Sequence, residues 1–131
     1  MVYSWFKLAK EDLHTAIVMY ELNDIMTFRA VTFNCQQCVE KSVKGLLTYN
    51  KIKFDKTHDI KELSEPLLQI YPDLKAVLIE SDRLTTYAVE FRYPGAIDKP
   101  ISSEEIKRCV LLAKEVFEKT CEKIPFDSSL F

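Results

Sequence analysis

The sequence contains little glycine and proline, with 2 and 5 of these residues in 131. A many-stranded sheet needs tight turns, and glycine and proline supply many of the backbone conformations that such turns require. The strong helix formers Leu, Ala, Glu and Lys are plentiful instead. The scarcity of turn residues therefore predicts an all-α protein with long helices.

Long apolar runs are also missing, and residues 1–7 lack the basic-then-apolar order of a secretory signal. The chain has no strong charge of either sign, because its net charge is −2. It therefore has no overall positive field to attract nucleic acid, although a local basic strip is compatible with this composition. We expect a cytosolic protein with no membrane association.

None of the common catalytic motifs is present. The sequence has no P-loop, no glycine-rich dinucleotide turn, no H-E-x-x-H motif and no serine elbow. Its 131 residues and 47% hydrophobic content fit one domain. We place this domain at residues 1–124 and predict a separate C-terminal tail, residues 125–131, which begins with a proline.

The four cysteines are Cys35, Cys38, Cys109 and Cys121. The first two have C-x-x-C spacing but lie inside a predicted helix, where no free amides stabilise a thiolate. Zinc would need two further ligands, and the other cysteines and the two histidines are not spaced as a second ligand pair. We predict buried core cysteines, with a metal site as the alternative, and no cofactor.

The apolar spacing predicts four principal helices and one short helix. The central helix is capped by Asp24 or Thr27 and ends at Tyr49, and its apolar residues form two stripes, so more than one neighbour must pack against it. The other four are predicted from a Ser4 cap to about Tyr20, from a Thr57 or Asp59 cap and Ile60 to about Tyr71, from Pro72 to about Glu90, and from a Ser102 cap to about Glu122. Polar residues at positions 81–83 interrupt the apolar pattern of the helix that begins at Pro72. The predicted fold is an up-and-down four-helix bundle with an additional short helix.

Polar residues interrupt the apolar stripes of two helices. On the central helix these include Gln37, Glu40, Lys41 and Lys44, whose polar tips need partners wherever packing excludes water. Asp12 interrupts the stripe of the first helix. It is either bonded to a lysine or backbone amide at the edge of the stripe, or belongs to a functional polar cluster.

Two further candidates lie at helix ends. His58 follows a basic connector and precedes a helix, where it either bridges the loop to the bundle or takes part in catalysis. Arg92 precedes Tyr93 and a Pro-Gly turn. It either binds a phosphate or carboxylate, or bonds the last carbonyls of its own helix.

The order of these residues resembles the HEPN domain family. The resemblance rests on Phe33-x-x-Gln36-Gln37-x-x-Glu40-Lys41-x-x-Lys44-x-Leu46-Leu47, on Thr57-His58-Asp59, on Tyr87 with Arg92-Tyr93-Pro94, and on Trp5, Ala9, Asp12-Leu13 and Ala16 near the start. It implies a helical bundle that forms homodimers. It also implies frequent pairing with a minimal nucleotidyltransferase encoded nearby, and links to RNA or nucleotides.

The sequence departs from the family in one respect. Many HEPN proteins are metal-independent ribonucleases in which an arginine is followed four to six residues later by a histidine. Here neither His14 nor His58 follows any arginine at that spacing. Arg92 takes the place of the motif's arginine, and Asp98, at the right distance, is a poor proton donor at neutral pH because carboxyl pKa values lie near 4.

Three functional hypotheses follow. The first is a homodimeric interaction module without the standard ribonuclease site, which binds a nucleotidyltransferase partner, a nucleotide or RNA through Gln37, Glu40, Lys41, Lys44, Arg92 and Tyr93. The second is a ribonuclease toxin of a toxin–antitoxin pair with a rearranged site, in which Arg92 holds the phosphate and His58 transfers the proton. The third is a purely structural bundle whose charged residues pair along solvated faces.

Overall fold

The computed structural model describes residues 1–90 and 100–125, without the side chains of residues 89 and 90. Every regular element in these residues is helical, which confirms the predicted all-α class. The α-helices are α1 Val2–Glu21, α2 Phe28–Tyr49, α3 Ile60–Ile70, α4 Lys75–Ser81, α5 Tyr87–Glu90 and α6 Ser103–Cys121. Short 3₁₀ turns occupy Ile25–Thr27, Pro72–Leu74 and Asp82–Leu84.

Helix α2 is the centre of the bundle, as its two apolar stripes predicted. It packs against α1, α3, α5 and α6. Most of its residues from Val31 to Leu47 are buried, including Cys35, Val39 and Val43. Trp5 and Phe6 of α1 lie beside the C-terminal half of α2, while Asp12 meets a residue one turn earlier, so α1 and α2 run antiparallel. In the part of the chain that the structure describes, no helix is long and apolar enough to span a bilayer.

Gly45 sets the distance between α1 and α2. A Cβ atom at this position would lie 2.7 Å from Cε2 of Phe6 and 3.1 Å from Cβ of Trp5. Phe6 is fully buried, so its ring has no room to move away. The two helices therefore approach closely only because residue 45 has no side chain.

The structure corrects the predicted capping of the first two helices. Helix α1 begins at Val2 with Met1 as its N-cap, so Ser4 lies inside the helix and does not cap it. Asp24 caps the 3₁₀ turn and not α2, with its Oδ1 accepting from Met26 N at 2.9 Å. Thr27 occupies the N-cap position of α2, but its hydroxyl bonds the Asp24 carbonyl at 2.7 Å and leaves the α2 amides uncapped.

The helix predicted from Pro72 to Glu90 is broken at Asp82–Leu84. At the break, Asp82 Oδ1 accepts from the Lys61 amide at 3.0 Å and from the Thr85 hydroxyl at 3.0 Å. Thr85 Oγ1 in turn accepts from the Ile60 amide at 3.1 Å. These side chains satisfy amides in the first turn of α3, which a straight helix from residue 72 to 90 would not reach. Ser81, Asp82 and Arg83 interrupt the apolar pattern here, but spacing alone does not show that the helix is broken at this point.

Two other caps and the cysteines agree with the predictions. Asp59 Oδ1 caps α3 by accepting from the Lys61 amide at 3.0 Å, and Ser102 caps α6 by accepting from the Glu105 amide at 3.1 Å. All four cysteines are buried and free. Burial raises the pKa of Cys109 and of Cys121 to about 12, so these thiols stay protonated at neutral pH.

Candidate functional site

Glu40 is the centre of a polar cluster inside the bundle. Its side chain is 5% exposed, and both carboxylate oxygens have partners. Gln36 Nε2 donates to Oε1 at 3.0 Å, and His58 Nδ1 lies 2.7 Å from the same oxygen. Lys44 Nζ donates to Oε2 at 3.1 Å. Three donors from two segments of the chain therefore converge on one buried carboxylate.

The helical repeat and one cap explain this convergence. Residues four positions apart lie above one another on a helix, so Gln36, Glu40 and Lys44 form one row along α2. The α3 cap positions the second segment, because Asp59 is fixed at the helix start and Thr57 Oγ1 accepts from its amide at 3.1 Å. The residue between them is His58, whose imidazole thereby meets the middle of the row.

Gln37 extends this row toward solvent. It is half-buried, and its Nε2 donates to Gln36 Oε1 at 2.6 Å. Gln36 is fully buried, and its Nε2 also lies 3.5 Å from the His58 carbonyl oxygen. We refer to Gln36, Gln37, Glu40, Lys44 and His58 together as the Glu40 cluster.

The cluster keeps Glu40 ionised. Burial alone would raise the pKa of this carboxyl, because it disfavours the charged form. The hydrogen bonds from Gln36 and His58 and the charge of Lys44 outweigh that effect, so the pKa of Glu40 lies below its ordinary value of 4.5. Glu40 is therefore a buried anion at neutral pH.

Lys44 has aromatic neighbours as well as its carboxylate partner. Its Nζ lies 5.6 Å from the ring centroid of Trp5 and 5.7 Å from that of Phe54, and these two rings meet edge to face at 6.2 Å. A cation over an aromatic face is attracted by the ring quadrupole, which makes that face partially negative. These contacts tie α1 and the loop between α2 and α3 to Lys44, whose side chain is 10% exposed.

Lys41 belongs to a separate pair. Its Nζ lies 2.6 Å from Asp12 Oδ2 on α1, and both side chains are 20% exposed. Burial raises the pKa of Asp12, and the hydrogen bond and charge of Lys41 only partly offset that effect. Of the two interpretations of Asp12, bonding to a lysine at the edge of the stripe is therefore confirmed.

The structure brings some of the candidate site residues together and separates others. Gln37, Glu40, Lys44 and His58 meet in the Glu40 cluster, whereas Lys41 turns to α1. Arg92 and Tyr93 lie outside the described residues. Phe54 is a neighbour of Lys44 that the sequence does not indicate, because the loop that carries it has no periodic pattern.

His58 is the most accessible member of the cluster. Its side chain is 55% exposed although Nδ1 is held by Glu40. Among the described residues, its Nε2 has no hydrogen-bond partner. An imidazole oriented by a carboxylate, with its second nitrogen open to solvent, can transfer protons to and from a ligand. In the described ranges, no group of three or more His, Cys, Asp or Glu side chains is arranged to hold a metal ion.

The fold and this cluster define a helical-bundle protein with a buried carboxylate on its central helix. The HEPN domain family model matches residues 2–124, and the chain therefore belongs to the HEPN family. The chain is also similar in structure to the crystal structure of ST0689, an archaeal HEPN homologue, with a TM-score of 0.71 and 23% sequence identity. That likeness covers 94% of this chain and 97% of the other. No curated protein matches this chain.

Proposed function

We propose that this HEPN protein is a homodimeric interaction module without the standard ribonuclease site. It binds a minimal nucleotidyltransferase partner, and it binds a nucleotide or RNA through phosphate groups. The observation that supports phosphate binding is the exposed basic segment around His58. The segment exposes four lysines, Lys51, Lys53, Lys56 and Lys61.

These lysines are better placed for a ligand than those of α2. Lys41 and Lys44 already pair with Asp12 and Glu40, so their charge is neutralised within the chain. In residues 51–61 the lysines outnumber the acids, which are Asp55 and the helix-capping Asp59. Phosphate contacts by such exposed lysines depend on salt but not on base sequence. Gln37 and His58, the half-buried and exposed members of the Glu40 cluster, supply further hydrogen-bonding groups.

Binding to short single-stranded RNA and to ATP tests this role. We expect fluorescence anisotropy at low salt to detect binding that weakens steeply as salt rises. The double variant Lys53→Ala/Lys56→Ala should lower the salt slope by about 1.4, because each phosphate contact on a single strand contributes roughly 0.7. The matched control is Lys107→Ala/Lys114→Ala, which removes the same charge from exposed positions on α6.

The result that would overturn phosphate binding is the absence of any binding at low salt, which favours a purely structural bundle. Equal effects of the two lysine pairs would place the ligand elsewhere. The partner is tested separately, by coexpression with a nucleotidyltransferase encoded next to this protein and by copurification.

The second candidate is a ribonuclease toxin that uses Arg92 and His58. The observation that favours it is the pairing of His58 Nδ1 with buried Glu40 at 2.7 Å, which orients the imidazole for proton transfer. An RNA cleavage rate that is lost on Arg92→Ala and on His58→Gln, but kept on His14→Gln, would establish this activity. His14 is the matched control because it is the other histidine and is also exposed.

A further inference from the structure

An open cleft of about 410 Å³ lies between α3 and α4. Its apolar lining is Leu68 of α3 together with Leu78 and Ile79 of α4. Leu78 is buried, whereas Ile79 is 58% exposed, so the cleft presents apolar surface that a bound molecule would cover. The volume is at the lower end of the roughly 300–1,000 Å³ that is typical of ligand sites, which fits a small molecule. We call this feature the α3–α4 cleft.

The other lining residues are polar and gather at one end of the cleft. Lys61, Ser64 and Glu65 come from the first half of α3, and Asp82 directly follows α4. Asp82 accepts from the Lys61 amide at 3.0 Å, so the start of α3 and the end of α4 meet at this end. Leu68 lies two turns further along α3, about 10 Å from Lys61 along the helix axis. The α3–α4 cleft is therefore charged at one end and apolar toward the other.

The charges at this end are available to a ligand. Lys61 and Glu65 lie four positions apart on α3, yet in the described part of the chain neither forms an ion pair. Asp82 uses Oδ1 for both of its hydrogen bonds, and its Oδ2 accepts from no described residue. The Ser64 hydroxyl donates to a carbonyl of its own helix at 2.6 Å, so its oxygen can only accept from a ligand.

The presence of both signs of charge points to the class of ligand. A simple amine would leave Lys61 facing a cation, and a fatty acid would bring its carboxylate against Glu65 and Asp82, which like charge disfavours. A molecule with an ammonium and a carboxylate on the same carbon pairs with all three side chains. An apolar group on that carbon then extends toward Leu68 and covers Ile79.

We infer that the α3–α4 cleft is a binding site for a free α-amino acid with a large apolar side chain. Glu65 and Asp82 hold the ammonium of the amino acid, Lys61 holds its carboxylate, and its side chain packs on the apolar lining. This ligand is additional to the phosphate ligand of the proposed function, although Lys61 is also the last lysine of the basic segment. The bound amino acid contacts both α3 and α4 and therefore stabilises the folded chain.

Chemical-shift mapping on the isotope-labelled full chain tests the site. We expect L-phenylalanine and L-leucine to shift the backbone amide signals of residues 61–68 and 78–82. L-Phenylalaninamide lacks the carboxylate and hydrocinnamate lacks the ammonium, so each should bind roughly fivefold more weakly than L-phenylalanine, because one exposed ion pair is lost. L-Serine keeps both charges but has no apolar side chain, and it should bind roughly tenfold more weakly than L-leucine.

Three variants assign the two charged contacts and the apolar one. Lys61→Met should weaken L-phenylalanine binding roughly fivefold without weakening that of L-phenylalaninamide, which has no carboxylate to hold. Glu65→Gln should weaken L-phenylalanine binding without weakening that of hydrocinnamate, which has no ammonium. Ile79→Asn should weaken binding of all three ligands. The matched controls Lys107→Met and Leu111→Asn change exposed residues of α6 and should leave binding unchanged.

The outcomes separate this inference from the proposed function. No signal shift at about 10 mM L-phenylalanine, ten times a weak dissociation constant of about 1 mM, would overturn the site. Equal affinity for L-phenylalanine, its amide and hydrocinnamate would overturn the amino acid as the ligand. Circular dichroism checks the fold of Ile79→Asn, and Ile79→Ala replaces it if the fold is lost. Amino-acid binding that persists in Lys53→Ala/Lys56→Ala supports a separate site, and the absence of RNA binding alone contradicts only the proposed function.

Discussion

Two lysines of α2 each pair with a carboxylate, and the two carboxylates respond in opposite ways. Lys44 lies 3.1 Å from Glu40, whereas Lys41 lies 2.6 Å from Asp12. Although its lysine is farther away, Glu40 has a pKa below the ordinary value, while the pKa of Asp12 is raised. The distance to the lysine therefore does not decide the direction of the shift.

The number of donors explains most of the difference, and the neighbouring charges of Glu11 and Glu40 raise the pKa of Asp12 further. Burial raises the pKa of both carboxyls, but Glu40 is bonded by Gln36, His58 and Lys44, and Asp12 is bonded by Lys41. Each hydrogen bond to the charged form favours ionisation. Three donors outweigh the effect of burial on Glu40 and keep it ionised. One lysine only partly offsets the effect of burial on Asp12.

The largest expected effect is on Glu40. Glu40→Leu leaves Lys44 buried without its counter-charge, and we expect a loss of about 3–5 kcal/mol in the free energy of unfolding. Asp12→Leu should cost about 1–2 kcal/mol, because Lys41 is more exposed and can reach water. Urea denaturation of both variants measures the difference. Equal losses would contradict the comparison.

A double variant sharpens the same point. Glu40→Leu/Lys44→Met removes both buried charges, and we expect it to recover about 2 kcal/mol of the loss caused by Glu40→Leu alone. The corresponding Asp12→Leu/Lys41→Met variant should recover less than about 1 kcal/mol. Unfolding free energies from the two cycles test this, and a zero coupling between Glu40 and Lys44 would show that Lys44 is not compensated by the carboxylate.

His58 should contribute less than Lys44 to the stability of Glu40. His58→Ala removes one of the three donors to Glu40. Because the His58 side chain is itself half exposed, we expect a loss of about 1 kcal/mol in the free energy of unfolding. His14→Ala is the control and should change the unfolding free energy by less than about 0.5 kcal/mol. A loss above that of Glu40→Leu would mean that His58 holds the loop by contacts other than this hydrogen bond.

The smallest expected effect is the pH dependence, which has opposite sign for the two carboxyls. The lowered pKa of Glu40 gives stability that is fully present above its ordinary value of 4.5 and is lost as pH falls through the folded value. The raised pKa of Asp12 favours folding at low pH, and this contribution is lost as pH rises through its folded value, above 3.8. Unfolding of the wild type, Glu40→Gln and Asp12→Asn between about pH 3 and 7 checks this.

In that series, the stability advantage of the wild type over Glu40→Gln should shrink as the solution becomes more acidic. Its advantage over Asp12→Asn should grow instead. The same trend for both variants would contradict the difference in donor number between the two sites.

Local features of the fold were accessible from the sequence. The central position of α2, the buried cysteines and the caps Asp59 and Ser102 follow from spacing and residue type, and the structure confirms them. The pairing of Asp12 with a lysine was also anticipated. The sequence did not show which lysine Asp12 meets, because Lys41 lies 29 positions away and only the packing of α1 on α2 brings the two residues together.

The parts that the sequence did not reveal depend on contacts between distant segments. At the break, Asp82 accepts from the Lys61 amide of α3, and the polar interruption at residues 81–83 does not by itself reveal this contact. Likewise, a bridge from the loop to the bundle was one of two interpretations of His58, and the structure shows this bridge, but its buried partner Glu40 follows only from the position of α3. The roles of Arg92 and Tyr93 stay predictions.

Gly45 lets α1 lie close to both lysines of α2. Any side chain there would collide with the Phe6 ring at 2.7 Å and force α1 outward along its length. Trp5 would then leave Lys44, and Asp12 would be drawn from Lys41, although neither pair had been altered chemically. The missing side chain at residue 45 therefore sets how closely Trp5 and Asp12 of α1 approach Lys44 and Lys41, whereas the Glu40–Lys44 pair lies within α2 itself.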